Sequence, residues 1–86
     1  MSQYAEGATR AVEWAARSAY GRLVATLVSR TRDLRAAEDA LGDAFAAALQ
    51  QWPQSGVPTH PDAWLLAVAR RRLLDGRRHQ AVRERV

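Results

Sequence analysis

Several residue types are missing or scarce in this chain of 86 residues, and each absence excludes a class of protein. Cysteine is absent, which excludes a disulfide framework, a thiol nucleophile and a cysteine-type zinc site. No apolar run approaches the roughly 18–20 residues that a membrane span needs, and the first residues lack the pattern of a signal peptide. The length allows one small domain and excludes a two-domain enzyme or a large catalytic barrel.

Lysine is also absent, and the charges that are present are unevenly distributed. All 13 basic residues are arginine, and they outnumber nine acids to give a net charge of +4. Residues 70–86 hold seven arginines against two acids, whereas residues 1–69 hold six arginines against seven acids. This concentration favours contact with nucleic acid or another polyanion near the C-terminus over an evenly solvated surface.

Alanine is abundant, with 18 copies against only five glycines and three prolines. Alanine is the strongest helix former, and apolar residues recur at three- and four-residue steps along the chain. The pattern predicts a helix over 8–30, which Gly21 either bends or divides. It also predicts a second helix that is capped by Asp33 and ended by Pro53. The predicted fold is all-α, a small bundle of three to four helices.

A loop rich in proline and glycine, 53–60, separates these helices from a third. Pro61 suits the first position of that helix, with Thr59 or His60 as its cap. Gly76 is a predicted weak point before the arginine-rich end. The polar side chains and backbone groups of the loop offer the donors and acceptors that read an extruded base.

The tryptophans next to this loop have a simpler interpretation than base stacking. Trp52 and Trp64 fall on the apolar stripes of their helices, which favours core or loop-anchoring roles. Trp14 fits either a core position or an exposed stacking position.

Signatures of catalysis and metal binding are lacking. No serine belongs to a serine–histidine–aspartate pattern, and the glycines do not form a phosphate-binding loop. His60 and His79 lie 19 positions apart, with no second histidine or cysteine at helical spacing. We therefore expect neither an enzyme nor a bound metal or cofactor.

The second helix has an acidic face. Asp39 and Asp43 stack on one side of it, where Gly42 and Ala46 leave a shallow surface that suits a basic partner helix. The alternative is that acids near a helix start only complement the helix dipole, which fits Glu38 as well as docking does. Asp43 is in mid-helix, beyond the reach of that effect.

The third helix carries the basic cluster. Arg70, Arg71 and Arg72 span about 200° of helix surface, so at least two of them face solvent or ligand. Asp75 has the spacing to pair with Arg71 or Arg72. The planar fork of arginine suits phosphate oxygens and the guanine edge.

Taken in order, these segments resemble conserved region 2 of the bacterial sigma-70 family, in its extracytoplasmic-function (ECF) group. The resemblance is carried by A-A-E-D-A-L-G-D-A-F over 36–45, by Trp52-Pro53, and by P-D-A-W-L-L-A-V-A-R-R-R-L-L-D over 61–75. Both order and spacing match, and the similarity covers roughly residues 20–79.

The resemblance implies a domain that docks on the β′ clamp helices of the RNA polymerase core and opens the promoter −10 element. It places the polymerase contact on Asp39, Gly42, Asp43 and Ala46. It places the contacts to the non-template DNA strand on Gln54, Ser55, Thr59, His60, Arg70, Arg71, Arg72, Asp75, Arg77 and Arg78. It also implies the cytoplasm of a bacterium as the location.

The loop motif W-P-Q-S-G-V-P is similar to that of ECF proteins with a long C-terminal helical-repeat extension. A C-terminal regulatory domain or an anti-sigma factor is therefore a further candidate partner. The expected organisation is an N-terminal tail over 1–7, a region 2-like domain over 8–79, and a basic tail or linker over 80–86. Region 4, which reads the −35 element, does not occur in these residues, so the chain is either an excised domain or an unusual single-domain protein.

The chain departs from the family pattern at two places. Gly42 stands where family members usually have a glutamine that helps the β′ contact, and Gly76-Arg77 replaces an apolar pair. The alternative function is a helical protein-interaction or regulatory module whose basic C-terminal end binds nucleic acid without sequence preference.

Overall fold

The computed structural model describes the backbone of residues 4–85 and the side chains of residues 4–76. Over that backbone the chain forms four helices and no strand, which confirms the predicted all-α fold. The helices are α1 (Ala5–Ser18), α2 (Tyr20–Thr31), α3 (Leu34–Ser55) and α4 (Pro61–Arg85). None of the described helices is long and apolar enough to cross a membrane.

The first predicted helix is two helices, and the break lies at Ala19 instead of Gly21. Ala19 is buried and bridges the two ends, since its N–H donates to the carbonyl of Ala15 and its carbonyl accepts from Leu23. The start of α1 at Ala5 shows that the expected tail over 1–7 is partly helical. The helix α1 begins with Ala5, a strong helix former, and Glu6, an acid at the positive end of the helix dipole.

Asp33 caps α3 as predicted. Arg32 ends α2 in the left-handed region with φ 55°, and Asp33 then takes an extended conformation with φ −130°. The carboxylate of Asp33 accepts a hydrogen bond from the N–H of Ala36 at 3.0 Å. This bond satisfies one of the N–H groups that a helix start leaves without a partner.

Replacing Asp33 by alanine is expected to lower the free energy of unfolding by about 1 kcal/mol, because α3 loses its cap. Asp33→Asn retains a good capping group and is expected to keep most of that stability. Urea unfolding followed by circular dichroism measures both variants. Equal losses for alanine and asparagine would contradict a capping role.

The prediction that Pro53 ends the second helix is wrong. The helix continues to Ser55, and Gly56 ends it with φ 91° while donating its N–H to the carbonyl of Trp52 at 2.8 Å. Proline removes only its own N–H, and so close to the end of a helix this costs a single hydrogen bond. Glycine adopts positive φ without strain, so it sets the stop, and the loop shortens to 56–60.

The helix α3 lies at the centre of the bundle and packs against the other three, most extensively against α4. Its buried side chains are mostly alanine, and short side chains allow close approach of neighbouring helices. Trp52 is the largest fully buried side chain, and its ring meets Trp64 edge-on at 5.3 Å between centroids. The core or loop-anchoring role predicted for these two tryptophans is confirmed, since Trp52 is buried in the core and Trp64 is half-buried against it, whereas Trp14 is 59% exposed.

Tyr20 joins α2 to α3. Its ring stacks on Phe45 at 6.3 Å between centroids, and its hydroxyl donates to the carboxylate of Glu38 at 3.5 Å. Burial, followed by the negative charge and hydrogen bond of Glu38, raises the pKa of Tyr20 above its ordinary value. The phenol therefore keeps its proton and its donor role.

The helix α4 begins at Pro61, as predicted, and His60 holds the cap position because its carbonyl accepts from the N–H of Trp64. Asp62 in the first turn forms an ion pair with Arg22, which ties the start of α4 to α2. The predicted weak point at Gly76 does not end the helix. The backbone of α4 stays helical to Arg85 and so includes most of the segment 80–86 that was expected to be a tail or linker.

Candidate functional site

An open groove between α3 and α4 carries the acidic face. It has a volume of about 470 Å³, and Asp39 and Asp43 lie exposed along it. Ala36, Ala40 and Gly76, which have short side chains or none, leave the groove open. It is lined by Thr31, Asp33, Ala36, Asp39, Ala40 and Asp43 on one side and by Arg72, Leu73 and Gly76 on the other. We call this surface the acidic groove.

A second groove of about 220 Å³ extends the acidic groove toward the end of α3. It is lined by Asp43, Ala46, Ala47, Gln50 and Arg72. Three of the four residues predicted to contact polymerase therefore line one continuous depression. The fourth, Gly42, is exposed on the same helix, and a Cβ atom built there meets nothing within 4 Å.

The structure separates the arginines that the sequence grouped together. Arg72 lies in the acidic groove, whereas Arg70 lines a different groove of about 190 Å³ with Arg30, Thr31, Leu73 and Leu74. Arg71 is exposed, as is Asp75. Within residues 4–76 neither Arg71 nor Arg72 forms an ion pair with Asp75, so the spacing that permits such a pair is not used.

Arg70 is half-buried, and its Nε atom is buried with no hydrogen-bond acceptor among the described residues. A buried donor without a partner is unusual in a folded protein and marks a place where a ligand can supply the acceptor. Arg30, from the end of α2, stands beside it in the same groove. Sequence reasoning missed Arg30 because 40 residues separate it from Arg70.

The predicted base-capture residues divide between helix and loop. Gln54 and Ser55 belong to the last turn of α3, and the Ser55 hydroxyl donates to the carbonyl of Gln51 at 2.9 Å. Thr59 and His60 lie in the loop 56–60, and all four side chains are exposed. Their exposure leaves them accessible to a ligand, although the hydroxyl proton of Ser55 is already donated to the carbonyl of Gln51.

Tyr4 is a neighbour of this loop that sequence reasoning missed. A Cβ atom built on Gly56 would lie 3.7 Å from the ring of Tyr4, which is 40% exposed. No local pattern could have found this contact, because it joins the start of α1 to the end of α3.

Arg77 and Arg78, two predicted DNA contacts, belong to the part of α4 for which the structure describes only the backbone. Among the residues whose side chains are described, no three histidines or acids come together in a way that could hold a metal ion. Over residues 4–76 the site is a set of exposed charged surfaces and shallow grooves.

A family model described as "Sigma-70 region 2" matches residues 15–83. An uncharacterized protein of Rhizobium meliloti (strain 1021) is 38% identical over 64 residues, a match that covers 74% of this chain. The aligned segment spans 15% of the length of that relative. No solved structure matches the chain.

Proposed function

The chain belongs to the sigma-70 region 2 family, and on that basis we propose that it binds RNA polymerase core and promoter DNA when transcription begins. The observation that carries the proposal is the separation of charge between two adjacent helices. Exposed acids lie along α3, and Arg71 projects from α4 with no ion-pair partner among residues 4–76. Two surfaces of opposite charge suit two partners of different chemistry.

The finer form of the proposal is an ECF-type sigma factor domain that docks on the β′ clamp helices. The docking surface comprises Asp39, Gly42, Asp43 and Ala46. Support comes from the acidic groove and its extension, which are open and share Asp43 and Arg72, with several alanines among their lining residues. A helix with basic side chains gains from Asp39 and Asp43 without displacing any ion pair within residues 4–76.

The second part of the proposal is capture and opening of the promoter −10 element. Strand opening without hydrolysis requires binding energy that favours unpaired over paired DNA. The loop and the α3 end supply exposed polar groups for an extruded base, and α4 supplies guanidinium groups for phosphates. The proposed contacts are Gln54, Ser55, Thr59, His60, Arg70, Arg71, Asp75, Arg77 and Arg78.

The proposed role also implies a location and a regulator. Transcription takes place in the bacterial cytoplasm, so we place the chain there. The proposed third partner is an anti-sigma factor or a C-terminal regulatory domain.

The experiment that tests the DNA part compares three oligonucleotides by fluorescence anisotropy. They are a single strand with a −10-type sequence, a scrambled single strand, and the duplex of the first. The proposed function predicts tightest binding to the first, with affinity that falls as salt rises. Equal affinity for the two single strands would favour the alternative, a helical interaction module with a nonspecific basic end.

Arg71→Ala is expected to weaken binding to the −10-type strand about five- to tenfold, because a charge-assisted phosphate contact is lost. The slope of log affinity against log salt should become shallower by about 0.7. Arg10→Ala, which removes an exposed arginine from α1, is the matched control for net charge. If both variants lose the same affinity, the arginines of α4 act only through bulk charge.

A further inference from the structure

Arg72 stands apart from the other arginines of α4. It lines the acidic groove and its extension, and Asp43 lines both with it. Arg70 lines the separate groove beside the end of α2. Leu73 borders both this groove and the acidic groove, so it lies between Arg70 and Arg72 on the surface of α4. The two arginines therefore face different depressions.

The geometry of a helix explains this division. Successive residues are 100° apart, so Arg70 and Arg72 differ by 200° around α4. A strand of DNA that follows the outer side of α4 can contact Arg70 and Arg71, or Arg71 and Arg72, but Arg70 and Arg72 point away from each other. The placement of Arg70 beside Arg30 makes that side the more basic one.

The charges around Arg72 oppose DNA. Asp33, Asp39 and Asp43 line the same groove, so their carboxylates repel a phosphate that approaches Arg72 there. Like charges brought together at an interface disfavour the wrong partner and so contribute to specificity.

Arg72 has no internal partner that explains its presence. It is exposed, and within residues 4–76 it forms no ion pair with Asp43 or with any other acid. A groove with acids on α3 and one arginine on α4 is complementary to a helix that carries a basic side chain and, about one turn away, an acidic one.

We infer that Arg72 belongs to the polymerase-docking surface, where it pairs with an acidic side chain of the docked β′ clamp helix, and that it does not contact DNA. This inference rests on the proposed function, because polymerase is the proposed occupant of the acidic groove. It revises the assignment from sequence, which placed all three consecutive arginines on the DNA side.

The test measures two affinities for each variant of the full chain: one for RNA polymerase core, the other for the −10-type single strand. Arg72→Ala should weaken core binding about five- to tenfold and change DNA binding less than twofold. Arg72→Glu should weaken core binding further, because it repels the acid. Arg71→Ala, the adjacent exposed arginine, should show the reverse pattern.

Circular dichroism serves to check that each variant is folded. Because both arginines are exposed, their substitution is not expected to unfold the chain. A loss of DNA affinity in Arg72→Ala as large as that in Arg71→Ala overturns the inference. So does unchanged core binding in both Arg72 variants.

Asp43→Ala separates failure of the inference from failure of the proposed function. If it weakens core binding and the Arg72 variants do not, only the inference fails. If substitutions at neither Asp43 nor Arg72 alter core binding, the proposed docking surface itself is wrong.

The double variant Asp43→Ala/Arg72→Ala tests whether Arg72 acts only by orienting Asp43. A direct contact predicts that Arg72→Ala still weakens core binding when Asp43 is already alanine. Disappearance of its effect in that background overturns the proposed pairing with polymerase.

Discussion

Trp52→Ala is expected to lower the free energy of unfolding by about 3–5 kcal/mol, the largest effect of any single substitution proposed for this chain. Trp52 is 1% exposed, and its removal opens a cavity between α3 and Trp64 on α4. A domain of 86 residues has a total stability of only about 4–13 kcal/mol. The variant should therefore lose a large share of its stability and unfold at a much lower temperature and urea concentration, as measured by thermal and urea melts at 222 nm.

The matched control is Trp14→Ala, which removes the same side chain from an exposed position on α1. Trp14 is 59% exposed, so its loss should change stability by no more than about 0.5 kcal/mol. Similar losses for the two alanine variants would show that Trp52 is not the centre of the core.

A second control, Trp52→Phe, keeps an aromatic ring in the core. It also removes the indole N–H, which is buried without an acceptor among the described residues. Because an unsatisfied buried donor is itself destabilising, this variant should lose less than half as much stability as Trp52→Ala. An equal loss would mean that the indole N–H has a partner whose hydrogen bond stabilises the fold.

The double charge reversal Asp39→Arg/Asp43→Arg is expected to weaken binding to RNA polymerase core at least a hundredfold. Both side chains line the acidic groove, and each change replaces an attraction for a basic partner with a repulsion. Because both residues are exposed, the helical content and the melting temperature should stay close to those of the unmodified chain. Competition binding with labelled chain and core enzyme measures the loss.

The control for net charge is Glu6→Arg/Glu13→Arg on α1, which changes the total charge by the same amount at two exposed positions. Core binding should fall far less in this variant, whereas binding to single-stranded DNA should rise modestly in both. If the two double variants lose core binding equally, polymerase recognises only the overall charge. If neither loses it, the acidic groove is not the docking surface.

Local features of the fold were predictable because their causes lie within a few residues. The cap at Asp33 and the start at Pro61 follow from the chemistry of a single helical turn. The burial of Trp52 in the core and the packing of Trp64 against that core follow from helical periodicity. Each of these predictions is confirmed.

One local prediction failed, the end of the helix at Pro53, because the penalty for proline is limited. Proline at 53 and glycine at 76 each disfavour a helix by a limited amount, and both are nevertheless helical here. Packing of α3 against α4 outweighs the penalty at Pro53, where a single hydrogen bond is lost. For Gly76 the cost is about 1 kcal/mol relative to alanine, and α4 continues through it.

The candidate site was only partly predictable. Asp39 and Asp43 share one side of α3 because they are four positions apart, which the sequence alone reveals. The spacing within α4 already turns Arg70 and Arg72 to different sides, but which groove each of them lines depends on where α2 and α3 lie around α4. The same holds for the ion pair of Arg22 with Asp62 and for Tyr4 beside Gly56.

The sequence by itself determined an all-α domain, the starts of α3 and α4, and a chain whose positive charge is concentrated at one end. These properties arise from propensity, capping and composition, which act within one or two turns of a helix. Only the tertiary structure decided which charges share a groove. Helix packing brings together residues far apart in the chain, and here it joined Arg72 to the acids of α3 while turning Arg70 toward α2.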